Sequence, residues 1–182
     1  MSNALGMIEV VSIPAGIEAG DAMLKAASVE LTTAGAVCAG KYIAIITGEV
    51  SAVEAGVKAG REAAGMKLID SIIIPNVDSQ VPSAVNMCSE IGRVEAIGAI
   101  ETFSLCSAVL IADSAVKAAE VRLIEVRLGR GLGGKSFITL TGDVAAVEAA
   151  VRAARALKEV QGLMSESVVI PSPHPDIVKA LI

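Results

Sequence analysis

The chain has 182 residues, 53% hydrophobic, 19% charged and only 2% aromatic, with a formal net charge of −5. That length holds one ordinary domain or two small ones, and the mean hydropathy of +0.66 predicts that apolar surface is buried between subunits. An acidic chain without basic clusters argues against nucleic acid as a partner, no apolar run reaches the roughly 18–20 residues of a bilayer span, and residues 1–4 lack the basic and apolar regions of a secretory leader.

In chain order, residues 5–12 form an apolar, β-branched run that reads as a buried strand. Residues 17–27 are rich in Ala, Leu and Met at helical spacing. Residues 29–33 and 42–47 read as two strands joined by a glycine-bearing loop. Residues 50–64 form an Ala-rich helix, and residues 68–74 a fourth strand that stops at Pro75. The order is β-α-β-β-α-β, the ferredoxin-like pattern of an α+β fold. A short helix is expected after Pro75 and another after Pro175.

The pattern then repeats. Ala4-Leu5-Gly6-Met7-Ile8-Glu9 returns as Ala96-Ile97-Gly98-Ala99-Ile100-Glu101, and Lys25-Ala26-Ala27 as Lys117-Ala118-Ala119. Asp21 matches Asp113. Gly40-Lys41 matches Gly134-Lys135, and Thr47-Gly48-Glu49-Val50 matches Thr141-Gly142-Asp143-Val144. Ile74-Pro75 matches Ile170-Pro171. Self-similarity along the whole chain means two copies of one unit, divided here into residues 1–92 and 93–182. No linker composition separates them.

The segment Gly20-Asp21-Ala22-Met23-Leu24-Lys25-Ala26-Ala27, with its echo at residues 112–119, resembles the helix motif of bacterial microcompartment shell domains. The opening strands, Ala-hydrophobic-Gly-x-Ile-Glu, are similar too. Because the same strand opens both copies, the chain resembles the unpermuted tandem class. Residues 1–41, with the Cys38-Ala39-Gly40-Lys41 loop, are most similar to the tandem shell proteins of propanediol-utilisation compartments. The resemblance implies a non-enzymatic cytoplasmic shell tile: a homotrimer whose six domains imitate a hexamer around a central pore. Its partners would be other shell proteins and enclosed redox enzymes. It also implies a 4Fe-4S cluster on the threefold axis, held by a cysteine at the position of Cys38.

Taken by itself, Cys38 is a small residue in a glycine-bearing turn, and the second copy has no cysteine in its loop. One thiolate per chain can hold a cluster only if symmetry supplies the others; zinc on three thiolates and a water is an alternative. Metal-free readings also stand: a gated metabolite pore, or a small-molecule-binding regulator. Ala39, Gly40, Gly131, Leu132 and Gly133 are the expected pore-loop residues. Cys88 and Cys106 read as buried, inert thiols, and three widely spaced cysteines make no disulfide framework.

Lys25 and Lys117 read generically as solvated lysines, each an i,i+4 partner of Asp21 or Asp113; the resemblance implies that all four lie at the tile edge. Gly129-Arg130-Gly131-Leu132-Gly133-Gly134-Lys135-Ser136 has the spelling of a P-loop. That motif requires a following helix, whereas residues 136–141 read as a strand. His174, between Pro173 and Pro175, is the single histidine and an expected surface residue, so no catalytic triad can be assembled.

Overall fold

The computed structural model describes residues 4–181; the leader expectation falls largely on residues 1–3, outside that range. The first sheet comprises β1 (Ala4–Val10), β2 (Glu30–Val37), β3 (Lys41–Gly48) and β4 (Leu68–Ile74), in the antiparallel order β2-β3-β1-β4. Helix α1 (Ile13–Ala26) connects β1 to β2, and α2 (Val50–Ala64) connects β3 to β4. A short helix, α3 (Gln80–Val85), follows. The second sheet repeats this with β5 (Ala96–Thr102), α4 (Leu105–Ala118), β6 (Arg122–Leu128), β7 (Ser136–Gly142), α5 (Val144–Ala156) and β8 (Met164–Pro171), in the order β6-β7-β5-β8. The chain ends on α6 (Pro175–Leu181). Both sheets have the expected ferredoxin-like order.

Every residue of β1 is buried, as its unbroken apolar run requires. Ala4, Ile8 and Val10 join Met23, Ile46, Val53 and Val57 in one core. Gly6 lets α2 lie directly on the strand, since a Cβ there would sit 2.5 Å from Val57 Cγ2. In α2, a Cβ on Gly60 would sit 2.5 Å from Met23 Cγ of α1, so a glycine again sets the spacing between elements. α2 ends at Gly65, whose φ of 51° is left-handed backbone that glycine adopts without steric cost.

Two element boundaries differ from expectation. α1 starts at Ile13, because Pro14 in its first turn gives up no hydrogen bond there and presets φ. β2 runs on to Val37, since pairing with β3 continues through the small residues Ala34, Gly35 and Ala36. Two compact units result. One holds the described residues up to Val77 together with Arg130–Gly134; the other holds Asp78–Gly129 and the described residues from Lys135 onward. The division thus falls after residue 77, where the repeat had suggested residue 92. The reason is α3, which docks on the free edge of β6: Gln80 Nε2 donates to the Val121 carbonyl, and Leu123 N–H donates to Gln80 Oε1 at 3.0 Å. Val81 and Ala84 of α3 are fully buried.

Candidate functional site

The connection between β2 and β3 is a single 3-10 turn, Cys38–Gly40, in which Ala39 (φ 63°) and Gly40 (φ 70°) are both left-handed. Glycine takes this conformation freely, whereas Ala39 is held in it at a cost of about 1 kcal/mol. In the same compact unit, Gly131, Gly133 and Gly134 are also left-handed, so Arg130–Gly134 is a tightly curled segment. Curled backbone of this kind aims amide N–H groups into a shared concavity suited to an anion. The Gly131 amide donates to Cys38 Sγ at 2.9 Å. The amides of Leu132, then Gly131, with smaller contributions from Gly133 and Gly134, hold the Cys38 thiol below its usual pKa; slight burial opposes them. Cys38 is therefore an accessible thiol biased toward thiolate, the form that acts as nucleophile and metal ligand.

The base of each loop is pinned by an ion pair that sequence reasoning left unassigned. Lys41 Nζ meets Glu9 Oε1 at 2.7 Å, with the Glu9 side chain only 1% exposed. In the second repeat Lys135 Nζ meets Glu101 Oε2 at 3.0 Å. Hydrogen bonds from the Ser165 hydroxyl and then from Lys135 pull the Glu101 pKa below the usual carboxylate range. The signal was present in the duplication, because Glu9/Glu101 and Lys41/Lys135 both lie inside the matched segments. Lys135 is thus committed to a carboxylate, and β7 follows it directly, so the P-loop spelling has neither a free lysine nor a helix to cradle phosphate.

The expected i,i+4 pairs both form, Lys25–Asp21 and Lys117–Asp113, each at 2.6 Å. Their surroundings differ. The Asp21 side chain is 57% exposed, whereas Asp113 is 7% exposed and also accepts the Asp78 N–H. Cys106 is buried within α4, as expected. Cys88 is exposed, contrary to expectation: α3 stops at Val85, and the chain turns outward through left-handed Met87, leaving the thiol to reach only the Asn86 carbonyl. His174 is exposed, and its Nδ1 accepts the Asp176 N–H at the start of α6. Among the described residues no three His, Cys, Asp or Glu side chains gather as a metal site, and no helix is long and apolar enough to cross a membrane.

Two ferredoxin-like sheets in tandem, each with a curled loop anchored by a Glu–Lys pair, define the class. The chain belongs to the BMC domain family, whose domain matches residues 4–77 and again residues 96–173. Across its whole length it is 37% identical to the bacterial microcompartment shell protein PduT of Citrobacter freundii, covering 99% of that protein. It is 32% identical to the carboxysome assembly protein CcmO of Synechococcus sp., over 99% of this chain and 69% of that one. A crystal structure of a microcompartment protein from Desulfitobacterium hafniense superimposes with a TM-score of 0.92 at 47% identity, covering 98% of this chain and 99% of the other.

Proposed function

We propose that this protein is a non-enzymatic shell component of a bacterial microcompartment, a homotrimer whose six domains form a pseudohexameric tile around a pore. End-to-end similarity to a protein named as a shell protein supports the shell role. Within that tile, Cys38 from each of three chains holds a shared 4Fe-4S cluster on the axis, with the fourth iron bound by a non-protein ligand. The observation that carries this reading is the Cys38 thiol itself, accessible, biased toward thiolate and ringed by amides. The donor chemistry fits: iron–sulfur clusters are held by thiolates, and hydrogen bonds to their sulfurs tune their potential. When bound, the cluster would supply one-electron transfer between the two faces of the shell. Residues 39–40 and 131–133 would line the opening, and Lys41 through Glu9 would keep the Cys38 turn in place.

Lys25 and Lys117 contact neighbouring tiles in this reading, each steadied by its aspartate, and other shell proteins and enclosed redox enzymes are the partners. Sedimentation should give a trimer at micromolar concentration. Lys25→Ala with Lys117→Ala should leave that trimer intact while reducing sheet formation in electron micrographs. A monomer, or undiminished sheets, would refute the respective part. A metal-free pore is the second reading, and one observation favours it: the Gly131 amide already satisfies Cys38 Sγ without any metal.

A further inference from the structure

The duplication presents one helix with a seat and its twin with none inside the chain. β4 and β8 leave their sheets through the same turn, with left-handed Asn76 (φ 54°) in one and Ser172 (φ 50°) in the other. The following helices are capped alike. Asp78 Oδ1 accepts the Gln80 N–H and its carbonyl accepts the Val81 N–H; His174 Nδ1 accepts the Asp176 N–H and its carbonyl accepts the Ile177 N–H. α3 and α6 are therefore equivalent helices, presented in the same way.

Their surroundings are opposite. α3 buries Val81 and Ala84 and grips the edge of β6. The matching residues of α6 are Ile177, 52% exposed, and Ala180, also exposed, and no described residue of α6 is buried. The receiving strands differ in the same sense. Leu123 of β6 is 1% exposed, and its counterpart Leu31 on the edge strand β2 is 48% exposed. Ala34 and Ala36 of β2 are exposed where Val126 and Leu128 of β6 are buried. Asp113 accepts the Asp78 N–H, but its counterpart Asp21 is paired only with Lys25 in the hydrogen bonds it forms here.

We infer that α6 of one chain docks on β2 of a second copy, as α3 docks on β6, with Ile177 and Ala180 against Leu31 and the His174 N–H directed at Asp21. This rests on the trimeric reading above and names the contact that closes the ring: a head-to-tail interface that closes after a fixed number of copies. Charge at the homologous positions supports a second copy as occupant. Ser83 and Arg122 line one cleft beside α3. At the equivalent places α6 carries Lys179 and β2 carries Glu30, both exposed and opposite in sign. Asp176 stands where Gln80 stands, so it can accept the Leu31 N–H but cannot donate to the Val29 carbonyl. Polar affinity lost there is recovered in part by the Lys179–Glu30 pair.

The test is trimer dissociation on dilution, followed by sedimentation of the full chain. Ile177→Arg should raise the dissociation constant at least a hundredfold while leaving the circular dichroism of the chain unchanged, because Ile177 is exposed in the isolated chain. Lys179→Glu should weaken the trimer several-fold, and adding Glu30→Lys in the same chain should restore it. A trimer that survives Ile177→Arg at wild-type strength, or a double variant weaker than Lys179→Glu alone, overturns the docking mode while leaving the trimer standing. A wild-type chain that sediments as a monomer refutes the trimeric reading itself.

Discussion

Gly6 and Gly98 occupy the same position in the two repeats, and their neighbours predict unequal costs for adding one methyl group. A Cβ on Gly6 would lie 2.5 Å from Val57 Cγ2 and 2.7 Å from Val53 Cγ1, where ordinary contact begins at 3.4 Å. Valine in a helix has essentially one χ1 rotamer, so neither side chain can turn away and α2 must move off the sheet. Overpacking of this kind costs about 1–3 kcal/mol, and two rigid neighbours place Gly6→Ala at about 3 kcal/mol. At Gly98 the closest atom is Leu140 Cδ1 at 2.8 Å, the far end of a flexible chain, with Val147 Cγ1 at 3.0 Å. Gly98→Ala should therefore cost roughly 1–2 kcal/mol. Gly20 is the control. Its Cβ would meet Ala44 Cβ at 3.5 Å, an ordinary contact within α1. Replacing a mid-helix glycine by alanine should then stabilise by about 0.5–1 kcal/mol. Urea titrations at one fixed protein concentration, followed by circular dichroism, measure all three. The packing argument fails if Gly98→Ala costs more than Gly6→Ala, or if Gly20→Ala destabilises.

Asp113→Ala should destabilise by about 1–3 kcal/mol, because it removes the acceptor of a buried amide and of Lys117. In the isolated chain Asp21→Ala should cost under about 1 kcal/mol, as an exposed ion pair does; equal thermal shifts for the two would contradict this. Cys38 alkylation should follow a pH profile whose midpoint lies below the ordinary thiol value of about 8.5, since the Gly131 and Leu132 amides favour the thiolate. A midpoint at or above that value, read by mass spectrometry of the metal-free protein, would dismiss those amides as the cause. ATP should neither bind at micromolar concentration nor be hydrolysed; saturable binding lost in Lys135→Ala would overturn the strand-and-ion-pair account of that segment.

The fold was legible because each element leaves a local trace: a continuous apolar run for β1, helical spacing for α2, and the whole pattern written twice. α2 and β4 begin and end where the sequence reading placed them. The i,i+4 pairs at Lys25 and Lys117 followed from spacing alone. Features that escaped depend on residues far apart in the chain. No local pattern brings the Gly131 amide to Cys38, 93 positions away. The docking of α3 on β6 rests on Gln80 finding backbone groups more than forty residues on, and this is what moves the division between units. Cys88 was misjudged because its apolar neighbour Met87 suggested burial, whereas left-handed backbone carries both residues to the surface.

The account stands most directly on iron bound per assembled particle. Anaerobic reconstitution with iron and sulfide, followed by sedimentation at visible and ultraviolet wavelengths, should give wild-type protein about four irons per three chains, with the colour travelling in the trimer. Cys38→Ser should sediment as the same trimer without colour or iron, and changes at Cys88 or Cys106 should not matter to the count. Equal iron in wild type and Cys38→Ser, or iron in proportion to chains and not to trimers, would contradict a cluster shared through Cys38.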